Sequence, residues 1–193
     1  TSTTSTSSTG IFEGCTNLTT VNNIPSTLTR LGNYLFYNCS HLANITLPSS
    51  LTTIGSYTFY GCTSLTGSIT LPSGLTTINA DAYTGCTGIT SVSFPSTLTA
   101  VSTGAFMNCT GLTSVSLPNT LTYLGGSAFK GCTGLTSFTI PSSITTVKAS
   151  LLEGCTNITT VNLHNSITVL ENTKVDEGPI NQLTIKNKAK QPV

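Results

Sequence analysis

Seven cysteines stand at positions 15, 39, 62, 86, 109, 132 and 155, so neighbours are always 23 or 24 residues apart. Six prolines keep the same interval: Pro25, Pro48, Pro72, Pro95, Pro118 and Pro141. A fixed period of this length over most of a 193-residue chain marks a solenoid. Each repeat is one coil, which buries its apolar face only against the coils beside it.

One repeat shows what each position does. Leu112-Thr113-Ser114-Val115-Ser116-Leu117-Pro118 alternates, with Val115 and Leu117 on one side and Ser114 and Ser116 on the other. That period of two, ended by a proline with no N–H for a ladder, predicts a short strand. Leu121-Thr122-Tyr123-Leu124 reads as a second extended segment, and Phe129 and Cys132 lie three apart, as one inward-facing helical or 3-10 turn would place them. Stacked coils then give an inward aromatic column of Phe12, Phe36, Phe59, Tyr83, Phe106 and Phe129, continued by Leu152 and Val175. Two coils carry one extra residue, Asn23 and Gly67. An insertion in a strand reverses every side chain after it, so a bulge or turn has to absorb each one.

The phrase Leu-Pro-x-x-Leu-Thr-x-Ile-Gly-x-x-x-Phe-x-x-Cys-x-x-Leu, from Leu47 to Leu65, resembles the BspA-like (Treponema pallidum type) leucine-rich repeats. The likeness recurs in every coil from about Gly10 to Ile185. It implies a leucine-rich repeat solenoid of about seven coils, with short parallel strands on one face and short helical or 3-10 turns on the other. It also implies a bacterial or protist surface protein engaged in adhesion or protein binding.

The organisation expected is a Ser/Thr-rich leader or linker at 1–9, repeats at 10–173, and a degenerate capping repeat with a basic tail at 174–193. Only 7% of residues are charged, against roughly 25% in ordinary domains, and serine plus threonine make up about a third. A net charge of +1 provides no footprint for nucleic acid, and no apolar run reaches the ~18 residues of a membrane span. The chain starts at Thr1 with a low-complexity Ser/Thr stretch, so an extracellular or cell-surface address is expected.

No C-x-x-C pair announces a zinc site, and the cysteines keep a constant phase to the aromatic column, as small buried hydrophobes would. Disulfides between adjacent coils are the alternative reading. His41 and His164 have no phased acid or nucleophile, and the acids are scattered. Neither a catalytic triad nor a carboxylate pair is supported, and the expectation is a non-enzyme without metal or cofactor.

Sequons for N-glycosylation occur at Asn17, Asn38, Asn44, Asn108 and Asn157. Asn38 and Asn108 replace the glycine that precedes cysteine in other coils, which predicts a left-handed backbone there. The outward strand positions are Asn44, Thr46, Ser68, Thr70, Ser91, Ser93, Ser114, Ser116, Ser137 and Thr139, flanked by Thr20/Asn22 and Thr160/Asn162. This hydroxyl-rich face is the expected binding face, for a protein or glycan partner or for copies of the chain itself. Beside it runs a column of Thr29, Thr52, Thr76, Thr99, Thr122, Thr145 and Thr168.

Three functions follow from these features. Recognition or adhesion by the strand face leads. A subunit of an extracellular filament or surface layer, with the sequons as its glycan sites, is the alternative, joined end to end through Ile11, Phe12, Leu183 and Ile185, because the first repeat opens in mid-coil at Gly10. Ice or polysaccharide binding by the threonine arrays is the third.

Overall fold

A computed structural model of the chain describes residues 10–171 and the backbone of 184–187. These residues wind as a parallel β-solenoid of about seven coils, numbered here by their cysteines from Cys15 in coil one to Cys155 in coil seven. Each coil contributes to two walls of short strands. The first wall holds β1 (Thr20–Val21), β3 (Asn44–Ile45), β5 (Gly67–Thr70), β7 (Ile89–Ser93), β9 (Ser114–Val115), β11 (Ser137–Thr139), β13 (Thr160–Leu163) and β15 (Thr184–Asn187). The second holds β2 (Arg30–Leu31), β4 (Thr53–Ile54), β6 (Thr77–Ile78), β8 (Ala100–Val101), β10 (Tyr123–Leu124), β12 (Thr146–Val147) and β14 (Val169–Leu170).

Every pairing is parallel and joins equivalent residues of successive coils, as in Ser91 to Ser114 and Thr53 to Thr77. The second wall is continuous from β2 to β10, whereas the first breaks between β3 and β5 and again between β9 and β11. The first break falls at the extra glycine. Gly67 has φ +79°, and the pairing of β5 with β7 slips between Gly67 and Ser68. Asn23, the other extra residue, also sits at positive φ (57°). Both insertions are thus taken up by left-handed residues, and the side-chain alternation beyond them is kept.

Leucine, isoleucine and valine columns fill the interior: Leu42 through Leu135, Leu51 through Ile144, and Leu31 through Val147, all buried. The aromatic column stacks as expected, ring on ring, with centroids 5.5 Å apart for Phe36 and Phe59 and 5.2 Å for Tyr83 and Phe106. Phe129 and Phe138 tilt against each other. Leu152 packs on the end of this core, and Val175 lies outside the described residues.

The expected helical or 3-10 turns are not formed: among the described residues there is no helix, and the third side of each coil is a chain of bonded turns. Two causes compete with the helix and win. The N–H groups of Tyr34, Phe36 and Asn38 donate to Ser56, Thr58 and Tyr60 of the next coil, so they are unavailable for bonds within the segment. Tyr34 and Asn38 also take positive φ (57° and 56°), which ends any right-handed run. Cys39 still donates its N–H to Phe36, and this single turn points both side chains inward.

The last strand of the first wall, β15, pairs with β13 from Thr160–Thr184 to Leu163–Asn187. Leu183, and the rest of the 174–193 segment apart from β15, lie outside the described residues, as do 1–9.

Candidate binding face

The outward residues of the first wall line one side of its three sheets, mostly exposed, with Ser91, Thr160 and Asn162 half-buried. Ser68, Ser91 and Ser114 are in register, as are Thr70 and Ser93, and Ser137 and Thr160. Asn44, paired with Thr20, and Thr46, Ser116 and Thr139 lie on the same exposed side. Asn162 donates its amide to Thr139 Oγ1 at 3.0 Å. The strip is not flat throughout. At the break between β3 and β5 lies a groove of about 590 Å³, lined by Thr46, Ser68, Thr70 and Ser93 over Ile45, Leu47 and Ile69.

The neighbouring threonine column is put to structural use. The hydroxyls of Thr52, Thr76, Thr99 and Thr122 donate at 3.1 Å to the carbonyls of Thr29, Thr52, Thr76 and Thr99, one coil back. Thr113 and Thr159 do the same to Thr90 and Thr136, and Ser50, Thr120 and Ser143 to the preceding leucine carbonyls. Part of the serine and threonine content is accounted for in this way: short hydroxyls give the carbonyls between coils a second donor. A column whose protons point into its own backbone offers fewer donors to an ordered water lattice.

The thiols form a comparable column. Cys39, Cys62, Cys86, Cys109, Cys132 and Cys155 are buried and free, and each directs its sulfur to the carbonyl of the aromatic residue one coil back, at 3.0–3.2 Å. Burial raises their pKa values, to about 12 for Cys62 and Cys109, because a thiolate there would be stripped of water. Cys15 alone is exposed. These are packing thiols, and no disulfide links them.

The sequon asparagines are all exposed. Asn38 and Asn108 have φ of 56° and 58°, matching Gly14, Gly61, Gly85, Gly131 and Gly154 at 70–75°, so the exchange of glycine and asparagine does report a left-handed site. Their carboxamides lie over Gly61 and Gly131 of the next coil, where a Cβ would collide. Asn157 donates its amide to the Thr133 carbonyl at 2.8 Å. His41 is anchored by Nδ1 on the Thr16 carbonyl, and His164 stands exposed at a turn. Among the described residues no group of three His, Cys, Asp or Glu side chains could hold a metal.

Both ends of the described stack show apolar surface. Ile11 and Phe12 are 69% and 39% exposed and border a recess of about 400 Å³ that reaches Ile24, Leu28 and Leu35. At the other end Val169 and Leu170 are 43% and 58% exposed. For Ile185 only the backbone is described, bonded along β13.

One surface escaped the sequence reading. Tyr34 stacks on Tyr57 and Tyr37 on Tyr60, with centroids 4.8 and 4.9 Å apart, on the turn side of coils two and three. Its signal was present: Tyr-x-x-Tyr occurs at 34/37 and again 23 residues later at 57/60.

The sequence matches the family model described as BspA type leucine rich repeat region, in six copies, over residues 1–110 and 66–175. Among solved structures, the leucine-rich repeat protein of Treponema pallidum is similar at 27% identity and a TM-score of 0.68, over 89% of this chain and 83% of that one. A leucine-rich cell surface protein of Faecalibacterium prausnitzii shares the fold at 21% identity and TM-score 0.50, over 77% of this chain and 55% of its own. The pneumococcal vaccine antigen PcpA does so at 16% and 0.56, over 88% and 43%. This chain therefore spans roughly half the length of these last two. No curated protein matches the sequence.

Proposed function

The chain belongs to the BspA-type leucine-rich repeat family, and on that premise we propose that it is a cell-surface or extracellular recognition module. Repeats of this family serve as scaffolds for protein interaction, not as catalytic centres. The observation that carries the reading is the strip of short hydroxyl side chains held in register along the first wall, from Ser68 through Ser91 to Ser114. Short side chains let a partner approach the sheet closely, and the 590 Å³ groove beside Ser68 supplies a concave, partly apolar foothold. The surface location rests on likeness to proteins described as a cell surface protein and a vaccine antigen. A protein or a glycan partner would fit this strip, and adhesion would be its use. No described helix is long and apolar enough to cross a membrane.

The test uses panels of immobilised extracellular-matrix proteins and of glycans, with lysine placed at Ser91, Ser114 and Ser137 in turn. The reading expects signals that disappear in all three variants while stability changes by less than about 0.5 kcal/mol. Signals that survive all three substitutions in folded protein would defeat it.

A second reading is favoured by the apolar ends. Ile11 and Phe12 at one end and Val169 and Leu170 at the other would be covered if copies stacked head to tail, which builds an open filament. Sedimentation of the native protein decides between the two. A polymer dispersed by Ile11→Asp and Leu170→Asp, but not by Ser114→Lys, favours the filament.

A further inference from the structure

The tyrosine columns on the turn side are not required by the fold. The Tyr34/Tyr57 position is occupied by Asp81, Gly104, Ser127 and Ser150 in later coils, and the Tyr37/Tyr60 position by Thr84, Met107, Lys130 and Glu153. The turn closes around all of them. Tyr34 and Tyr57 moreover sit at φ 57°, a left-handed conformation that glycine holds freely at Gly104 and a bulky residue holds at a cost. Large aromatics recurring where small residues suffice, and where the backbone disfavours them, mark a surface shaped for something other than folding.

The geometry restricts what that something is. The rings in each column are nearly coplanar in orientation, at 7° and 16°, so their faces close on one another and their edges and hydroxyls remain available. The outer faces of the two columns are those of Tyr34 and Tyr37 toward coil one and of Tyr57 and Tyr60 toward coil four. Glu13 occupies the Tyr37 position of coil one, and Asp81 the Tyr57 position of coil four. The negative charge of Asp81 raises the Tyr57 phenol pKa, and its carboxylate lies over Gly104 of coil five. Asp81 accepts from the Thr84 hydroxyl at 3.1 Å and Glu13 from the Gly10 N–H at 3.0 Å, neither of which neutralises its charge. The described cations are placed elsewhere: Lys130 and Lys148 bond to Glu153 and Glu171, and Arg30 lies in β2.

We propose that the four tyrosines, bracketed by Glu13 and Asp81, dock an extended basic peptide segment of a protein partner through two of its arginines. Arginine suits both elements of each corner, since its guanidinium stacks on an open aromatic face and forks onto a carboxylate. Three coil steps separate the two acids, about 14 Å at the strand spacing, which an extended peptide covers in about four residues. Tyrosine edges and hydroxyls between them meet the peptide backbone at low entropic cost. A neutral sugar would leave both carboxylates without a cationic partner, whereas an arginine supplies a charge-assisted fork to each. This surface lies apart from the serine strip, so its use does not depend on that strip.

The chain has no tryptophan and six tyrosines, four of them in this patch, so its intrinsic tyrosine emission reports occupancy directly. The probe is a capped glycine–serine octapeptide with arginines at its second and sixth places, compared with the same peptide carrying glutamines there and with maltohexaose. A saturable emission change is expected for the arginine peptide, with affinity at least about tenfold weaker for the glutamine peptide. The Glu13→Gln/Asp81→Asn protein should also weaken about tenfold, and Tyr37→Ser/Tyr60→Ser should lose binding. Tyr37→Phe/Tyr60→Phe, which keeps the stack, should bind nearly as the parent does, and Ser114→Lys should have no effect. Absence of saturation up to roughly 1 mM, equal affinity for both peptides, insensitivity to loss of the acids, or tyrosine-dependent binding of maltohexaose in its place would each overturn the proposal.

Discussion

The sulfur of Cys109 lies 3.1 Å from the backbone carbonyl of Tyr83, one coil back, and donates its proton there. The same Tyr83 carbonyl takes the N–H of Cys86, and the Tyr83 N–H donates forward to Ala105. A cysteine in this chain therefore acts as a small apolar residue with one well-aimed donor. That explains why the position is repeated without any pairing into disulfides.

Alkaline stability follows from this burial. The pKa values of Cys62 and Cys109 rise from 9.0 to about 12 on folding, because desolvation penalises the thiolate. A raised folded-state pKa contributes stability that is fully present below pH 9 and lost as pH rises toward 12. Melting temperature should hold steady between neutral pH and about pH 8, then fall steeply, and Cys109→Ala should make that fall shallower while costing roughly 1–3 kcal/mol at neutral pH. In native protein, iodoacetamide should label Cys15 quickly and the buried six slowly.

Phe106 is buried between the rings of Tyr83 and Phe129, whereas Phe12 stacks on one neighbour only and is 39% exposed. Phe106→Ala should cost about 3–5 kcal/mol in denaturant melts. Phe12→Ala should cost distinctly less, and equal costs would show that the coil-one end is covered in solution.

Tyr83 carries the one hydroxyl of the aromatic column, and its oxygen has no partner among the described residues. Burial without a hydrogen bond is a net cost. Tyr83→Phe should therefore stabilise the protein by about 1 kcal/mol, read as a higher denaturant midpoint at unchanged slope.

Asn38 and Asn108 hold the left-handed φ that glycine holds in five other coils. Asn108→Gly should thus leave stability within about 0.5 kcal/mol, whereas a β-branched Asn108→Val should cost at least 1 kcal/mol. The glycine variant also erases the sequon without disturbing the turn. Native-source protein should lose one glycan mass at that site if the sequon is used, and intact-mass spectrometry reads this directly.

The period, the aromatic and cysteine columns, and the left-handed turn at Asn38 and Asn108 were all legible in the chain. Each depends only on which residues recur at a fixed interval, and a stack converts recurrence into contact. The extra residues Asn23 and Gly67 were legible for the same reason, as departures from the interval, and both became left-handed adjustments. The helical turn around Phe36 was expected from local spacing and did not form. Local spacing does not reveal that the N–H groups of Tyr34, Phe36 and Asn38 have carbonyls waiting in the next coil. Nor did composition tell which serines and threonines face a partner and which bond inward, because Thr52 and Ser114 are both exposed hydroxyl residues and only the first has a carbonyl within reach.

By itself, then, the sequence determined the architecture: a 23-residue beat leaves the apolar positions no burial except against their own copies. The stacked fold decided the chemistry of the surface. Whether a side chain is a donor already in use, a free hydroxyl or part of the Tyr34–Tyr57 stack depends on the coil next to it, about 5 Å away in space and 23 residues away along the chain.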